Sequence, residues 1–235
     1  MKIVITGASR GLGKAIAETF ADDKQGHTLL LSARNKEALQ LTGKELQGRF
    51  PRTTVLTHAC DLADRSAVDE LAAWILEKAT SVDILVNNAG IFIPGNVVDE
   101  EQGLLEKIME VNLFSQYRLT RLLLPPMINQ RQGHIFNMSS IAALRAYPGG
   151  GSYSISKFAL MGFSKNLRDE LKPHGIKVTT VYPGATYTDS WKSSGIDPKR
   201  IMESNDIARM IYAASQLSPQ ACVEDIILRP QLGDL

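Results

Sequence analysis

The run Lys2-Ile3-Val4-Ile5-Thr6 constrains the chain more than any other stretch. It is apolar and β-branched and ends in glycine. A strand of this composition has no polar face to turn toward water, so it must be covered on both sides, as in a parallel sheet with helices on each face. The next residues are Gly7-Ala8-Ser9-Arg10-Gly11-Leu12-Gly13, after which Ile16, Ala17 and Phe20 recur at helical spacing. Glycines in such a turn let backbone N–H groups approach a pyrophosphate, which then sits at the positive end of the helix. Three glycines also suit an ordinary loop. Their position between a strand and a helix is what favours the dinucleotide reading. The spacing is TGxxxGxG and not GxGxxG.

The alternation continues. Residues 28–34 read as a second buried strand and 35–50 as an amphipathic helix. A third strand over 53–59 leads to Asp61, and residues 65–78 carry Val68, Leu71, Ala72, Ile75 and Leu76 on one helical face. Strand four lies in 83–90 and ends in Asn87-Asn88-Ala89-Gly90. Apolar spacing predicts a long helix over 106–124, around Asn112. Strands over 134–140, 176–184 and 223–230 alternate with helices over 151–172 and 204–217. Such alternation predicts a doubly wound α/β fold, and 235 residues suit one domain, 1–235.

Composition excludes several classes. A net charge of +1, from 26 basic and 25 acidic residues, leaves no electrostatic footprint for nucleic acid or an anionic membrane. No apolar run approaches the roughly eighteen residues of a membrane span. The first residues enter a strand directly, without a signal-like segment. Cys60 and Cys222 lie far apart and outside any metal-like spacing, which predicts free thiols, no metal, and a soluble cytoplasmic protein.

The end of the second strand bears on cofactor choice. An acidic residue there would bond the ribose 2′-OH of NAD, but the chain reads Ser32-Ala33-Arg34-Asn35. Arg34, with Arg10 in the glycine loop, suits a 2′-phosphate, because guanidinium groups bind phosphate in a bidentate fork. NADPH is therefore expected over NADH, although both arginines would also serve as solvated surface charges. Asp61 fits an acceptor for the adenine amine, and Asp61 or Asp64 equally fits a helix cap. Asn87 and Asn88 can hold neighbouring loops or simply make a turn. Asn112, polar within an apolar helix, needs a partner. It is either a satisfied core amide or the site of a local kink that orders a water beside Lys157.

The segment from Ser139 to Lys157 bears the chemistry. Tyr153 and Lys157 are one helical turn apart, so they share a face. A nearby ammonium favours phenolate and lowers a phenol from its usual pKa of about 10. Ser140 stands where a donor would stabilise charge growing on a substrate oxygen. The same spacing also fits an ordinary amphipathic helix. Strand six ends at Pro183-Gly184, beyond which Thr186 and Thr188 fit a nicotinamide carboxamide. Residues 186–203 have Gly, Pro and Ser but little periodicity, as in a lid over a pocket. Phe92, Ile141, Tyr147, Tyr187 and Trp191 are placed either to stack on a flat substrate or to pack the lid.

Together Thr6-Gly7, Gly11, Gly13, Asn87 to Gly90, Asn112, Ser140, Tyr153, Lys157 and Pro183-Gly184 resemble, in order and over nearly the whole chain, the short-chain dehydrogenase/reductase family. The resemblance implies a Rossmann-type fold with a mostly parallel sheet of about seven strands and helices on both faces. It implies Tyr153 as catalytic acid/base, Lys157 as its pKa-lowering neighbour and a ribose ligand, Ser140 as donor to the substrate oxygen, and Asn112 as holder of a relay water. It places Gly7, Ser9, Arg10, Gly11, Leu12 and Gly13 on the pyrophosphate side, and Arg34, Asp61 and Leu62 at the adenosine. Asn88, Ala89, Gly90, Pro183, Gly184, Thr186 and Thr188 fall near the nicotinamide, and Ser140, Tyr147, Tyr153, Tyr187 and Trp191 near the substrate. It also implies a homodimer or homotetramer packed through the helices bearing Asn112 and Tyr153.

The expected activity is NADPH-dependent reduction of a ketone or aldehyde. Within the family, PGATYTDSW and VEDIILRPQLGDL are similar to bacterial sepiapterin reductases. Asp234 would then meet the guanidine-like edge of a pterin, or be merely a frayed end. Small dicarbonyl and 3-oxoacyl reductases share the core motifs. A nucleotide-sensing protein without turnover is the alternative of another class.

Overall fold

The structure, a computed structural model of the chain, describes residues 1–188, 191 and 195–234. Seven parallel strands form the central sheet: β1 (Lys2–Thr6), β2 (Thr28–Ala33), β3 (Thr54–Ala59), β4 (Ile84–Asn87), β5 (Gly133–Met138), β6 (Ile176–Pro183) and β9 (Asp225–Leu228), in the order β3-β2-β1-β4-β5-β6-β9. Two short strands, β7 (Thr186–Tyr187) and β8 (Met202–Glu203), pair separately. The strand order reverses between β1 and β4, so the crevice for a ligand opens there, beyond the carboxyl ends of the strands.

Strand alternation explains the covering on both sides. Ile3, Ile5, Leu29 and Leu31 pack with Ile16 and Phe20 of α1 (Gly11–Asp22), Leu39 and Leu46 of α2 (Lys36–Arg49), and Ile207 and Ile211 of α7 (Ser204–Ser215). Val4, Leu30, Leu85 and Ile135 point the other way. They meet Val68 and Leu71 of α3 (Arg65–Lys78), Leu119 and Leu123 of α5 (Ser115–Gln130), and Leu167 of α6 (Gly151–Leu171). Each side chain named here is at most 5% exposed, so its burial contributes roughly 1.5 to 3 kcal/mol before the entropy of ordering is charged against it.

Local chemistry sets the helix starts. Asn35 accepts the Ala38 N–H at 2.8 Å to begin α2, and Asp64 accepts the Ser66 and Ala67 N–H groups at 2.8 and 3.4 Å to begin α3. The cap is thus Asp64, while Asp61 Oδ1 accepts the Ala63 N–H at 3.0 Å in the turn before it.

Two features depart from the periodicity. The long helix around Asn112 runs over 104–130, but its middle turn, Glu110–Phe114, is a π-turn between α4 (Leu104–Met109) and α5. It also continues through Pro125 and Pro126, because Leu123 and Met127 on its other face are fully buried and outweigh the missing donors. In the expected lid, residues 186–203, the β7–β8 ladder and a short turn at Pro198–Arg200 give more order than the composition suggested. Residues 189, 190 and 192–194 of that segment lie outside the described residues. Among the described residues no helix is long and apolar enough to cross a membrane, and no His, Cys, Asp and Glu cluster is placed to hold a metal ion.

Candidate active site

The glycine turn is shaped by close contacts with its neighbours. Gly7 and Gly11 have φ of +68° and +55°, a region that side chains disfavour. A Cβ on Gly13 would overlap the Gly7 carbonyl oxygen, so only glycine lets α1 approach β1 this closely. Asn88 locks the loop from below. Its Nδ2 donates to the carbonyls of Thr6 at 2.9 Å and Gly7 at 3.3 Å, while the Thr6 hydroxyl accepts the N–H groups of Asn88 and Ala89, both at 3.0 Å. No side chain caps α1. Its first-turn N–H groups and the positive end of its dipole are left for a ligand.

Above this loop lies a cleft of about 1040 Å³, lined by Gly7, Ser9, Arg10, Gly11, Leu12, Arg34, Asp61, Leu62, Asn88, Ala89, Gly90 and Thr188. These are cofactor residues expected from the sequence, and the fold brings them together. Gly13, Pro183, Gly184 and Thr186 stand behind them. Gly184 donates its N–H to Leu228 O at 2.8 Å, and the buried Thr186 hydroxyl donates to Gly184 O at 2.9 Å, so both are committed to the turn that presents Thr188. Lys36, Glu37, Ile91 and Val111 also line the cleft and were not foreseen. Lys36 and Glu37 fall in the first turn of the helix expected over 35–50, but that placement alone did not mark them as facing the cleft. Nothing in the sequence marked the two apolar walls. Arg10 and Arg34 are exposed on the rim, without ion-pair partners among the described residues.

Ser140, Tyr153 and Lys157 are not among the residues lining this cleft; Ser140 follows the end of β5. Its hydroxyl oxygen accepts the Ala142 N–H at 3.1 Å, and the same hydroxyl is near enough to Tyr153 to favour the ionised phenol. Ser154 anchors the same helix through Ala142 O at 2.7 Å. The Lys157 Nζ lies 5.7 Å from the Tyr153 ring centroid and donates to Met138 O at 2.8 Å. A Cβ on Gly90 would stand 3.6 Å from that Nζ, so the ammonium lies just behind the cleft wall.

Burial governs these groups. It lowers Lys157 to about 8 and raises Tyr153 to about 12, with only the Ser140 hydrogen bond pulling the phenol down and the neighbouring Tyr147 adding to the rise. The expected lowering draws on Lys157 together with a cationic nicotinamide; among protein groups alone, burial prevails at the phenol. The lysine sits over the ring face and bonds a carbonyl, and protein groups alone leave the phenol protonated.

Asn112 is a satisfied buried amide within the π-turn, as the first of its two expectations had it. Its Oδ1 accepts the Ile91 N–H at 2.8 Å, and its Nδ2 donates to Ile91 O and the Ser156 hydroxyl, each at 3.0 Å. Asn87 turns into the core, where it donates to Thr120 and Asn137. On the substrate side Phe92 meets the Tyr153 ring edge-on at 4.8 Å, Tyr147 and Ile141 lie on the stretch after β5, and Trp191 donates its backbone N–H to Thr188 O at 3.0 Å. The Tyr187 carbonyl accepts from Ser204 at 2.8 Å. Asp234 is not frayed. Its carboxylate pairs with Arg145 at 3.1 Å and with Arg229, and Arg200 donates to the carbonyls of residues 232 to 234.

A family model described as short chain dehydrogenase matches residues 1–199. The chain belongs to the short-chain dehydrogenase family. It is 33% identical over 239 aligned positions to a sepiapterin reductase of Chlorobaculum tepidum, covering 99% of this chain and 97% of that one. Among solved structures it is similar to an alcohol dehydrogenase of the archaeon Thermococcus sibiricus complexed with 5-hydroxy-NADP, at TM-score 0.89 and 27% identity over 98% of this chain and 96% of that one. An L-sorbose reductase of Gluconobacter frateurii, complexed with NADPH and L-sorbose, gives TM-score 0.88 and 28% identity over 97% and 94%. As a short-chain dehydrogenase, the protein is an oxidoreductase of CH–OH and C=O groups.

Proposed function

We propose that this protein is an NADPH-dependent carbonyl reductase. The observation that carries the reading is the Lys157 Nζ, 5.7 Å from the Tyr153 ring centroid and against the Gly90 wall of the cleft, with Ser140 beside the phenol just past β5. The glycine cradle and its donors fit a dinucleotide, which when bound supplies hydride to the carbonyl carbon. Gly7, Ser9, Gly11 and Leu12 hold the pyrophosphate, and Asp61 and Leu62 border the adenine. Asn88, Ala89, Gly90 and Thr188 border the nicotinamide. Arg10, Arg34 and Lys36, three cations against the two carboxylates of Glu37 and Asp61, favour a 2′-phosphate over a bare ribose hydroxyl.

Ser140 orients the substrate oxygen and steadies its growing charge, and Tyr153 gives it a proton. Burial favours the protonated phenol, the form a proton donor needs. Lys157 holds the ribose hydroxyls and adds positive charge beneath the site. Both N–H donors of the Asn112 amide are committed, so its part in a proton relay is to hold the π-turn beside Lys157.

The sepiapterin reductase relative suggests a pterin side-chain ketone as substrate, with Phe92, Tyr147, Tyr187 and Trp191 as its walls. Arg145 and Arg229 both pair with Asp234 Oδ2, while Oδ1 is buried without a partner; a small dicarbonyl, which needs no carboxylate there, is the second reading. We also assign residues 186–203 as the lid. Exposed Phe114, Tyr117 and Leu122 on the long helix and Ile155 and Phe158 on α6 are apolar side chains suited to a second copy of the chain, as a dimer or tetramer that light scattering would detect. Two free cysteines are consistent with a cytoplasmic setting.

The test is NADPH oxidation with diacetyl and with sepiapterin. Tyr153→Phe should lower kcat by about 10² to 10⁴ while NADPH still binds. Unchanged turnover would refute the assignment and leave a nucleotide-binding protein without this chemistry.

A further inference from the structure

The stretch between β4 and α4 carries no helical or strand periodicity, yet it is fastened firmly to the helix that bears Tyr153. Glu100 reaches the first turn of α6, where its Oε1 accepts the Ser152 N–H at 2.8 Å and its Oε2 accepts the Ser152 hydroxyl at 2.5 Å. Three further bonds close the clasp. The Gly95 N–H donates to Gly149 O at 3.1 Å, the Gly149 N–H to Asn96 Oδ1 at 3.1 Å, and the Glu100 N–H to Asn96 O at 2.9 Å. Two glycines make the approach possible. A Cβ on Gly95 would stand 2.8 Å from Glu100 Cγ, and one on Gly151 would overlap Glu100 Oε1.

No side chain at the N-cap residue, Gly150, caps α6, so the Glu100 carboxylate supplies the acceptor that the exposed first-turn donors and the helix dipole favour. The other end of this stretch is fixed as well. Ile91 is held at both its N–H and its carbonyl by Asn112, and Phe92 lies edge-on against Tyr153. The Ala89–Ile91 wall of the cleft and the backbone beside Tyr153 are thereby joined through one carboxylate.

We propose that Glu100 is a positioning residue for the reaction: by clasping Ser152 it holds the Tyr153 hydroxyl in register with the cleft wall at Gly90. This rests on Tyr153 as the proton donor. The clasp matters because proton transfer is steeply sensitive to geometry, a misplacement of about 1 Å being enough to cost about 100-fold.

The experiment measures kcat, KM and NADPH affinity by nucleotide fluorescence, using diacetyl, or sepiapterin where that is faster. Glu100→Ala should lower kcat about 10- to 100-fold, with NADPH affinity changed less than about twofold. Glu100→Gln, whose amide still accepts the Ser152 N–H, should restore kcat to within about threefold of the parent. In a Tyr153→Phe background Glu100→Ala should add less than about twofold, because the two act as a unit. Parental kcat in Glu100→Ala overturns the proposal, as does an equal loss in kcat and NADPH affinity or full additivity with Tyr153→Phe. Should Glu100→Ala fail to fold, Asn96→Ala opens the same clasp from the Gly149 side. It should lower kcat about three- to tenfold at parental NADPH affinity, and parental kcat there is equally fatal. Unchanged turnover in Tyr153→Phe alone would remove the parent reading, whereas an inactive Tyr153→Phe beside a fully active Glu100→Ala would remove only the role of Glu100.

Discussion

The two ends of the site are built from different materials. The cofactor end, from β1 to β4, is largely backbone: glycines where a Cβ would collide, bare N–H groups at α1, and one amide, Asn88, tying the turn to the sheet. The reacting end, on β5 and α6, is side chains in a desolvated pocket, where burial shifts Lys157 down and Tyr153 up. A backbone site tolerates changes of pH but not of shape. A side-chain site tolerates small changes of shape better than changes of charge. The lesson is that one site has two distinct modes of failure.

The largest effect expected from breaking the contrast is at Gly13. Gly13→Ala puts a methyl onto the Gly7 carbonyl, which α1 relieves only by moving off β1. NADPH affinity should fall by about 100-fold or more and stability by about 1 to 3 kcal/mol. Near-parental binding in a fluorescence titration would mean that the cradle is less rigid than its contacts indicate. Arg34→Ala comes next. It leaves the backbone intact and removes one charged partner of the 2′-phosphate, so affinity for NADPH should fall about 10- to 100-fold and that for NADH hardly change. Equal loss for both cofactors would deny the arginine that role.

The smallest effect concerns pH and sharpens the description of the reacting end. With Lys157 lowered by burial to about 8, kcat/KM should fall about tenfold per unit above that pH as the ammonium is lost. Stability should not follow on this group's account. Between about 8 and its ordinary 10.5 the unfolded chain still holds the proton that the folded one has released, so this group favours the fold increasingly as pH rises. A flat rate profile to pH 10 would show that the charge on Lys157 is dispensable.

Much of this was legible without coordinates. Strand composition and alternation are local properties, and a strand with no polar face has few ways to be buried, so the layered parallel fold follows from KIVIT, TLLLSA and their successors. The glycine turn, Arg34, Asp61, Asn88, Ser140, Tyr153 and Lys157 were visible because their residue types and order carry a chemical constraint. The π-turn around Asn112 was not, since its cause is two hydrogen bonds to Ile91 and one to Ser156, from elements distant in sequence. Lys36 was hidden by being an ordinary charged residue of a helix's first turn, and Ile91 and Val111 by being ordinary apolar residues that happen to face the cleft.

Residue types and their spacing along the chain were enough to specify a doubly wound sheet, where its ligand crevice opens and which side chains could do chemistry there. Protonation states and allegiances were decided in three dimensions. The spacing of Tyr153 and Lys157 suggested an acidified phenol, yet desolvation outweighs a lysine that bonds the Met138 carbonyl. Asp234 suggested a ligand contact or a loose end, yet two guanidinium groups from Arg145 and Arg229 hold it. Periodicity records which face of an element is buried, but the dielectric around a group and its partners depend on everything packed against it, and those neighbours come from every part of the chain.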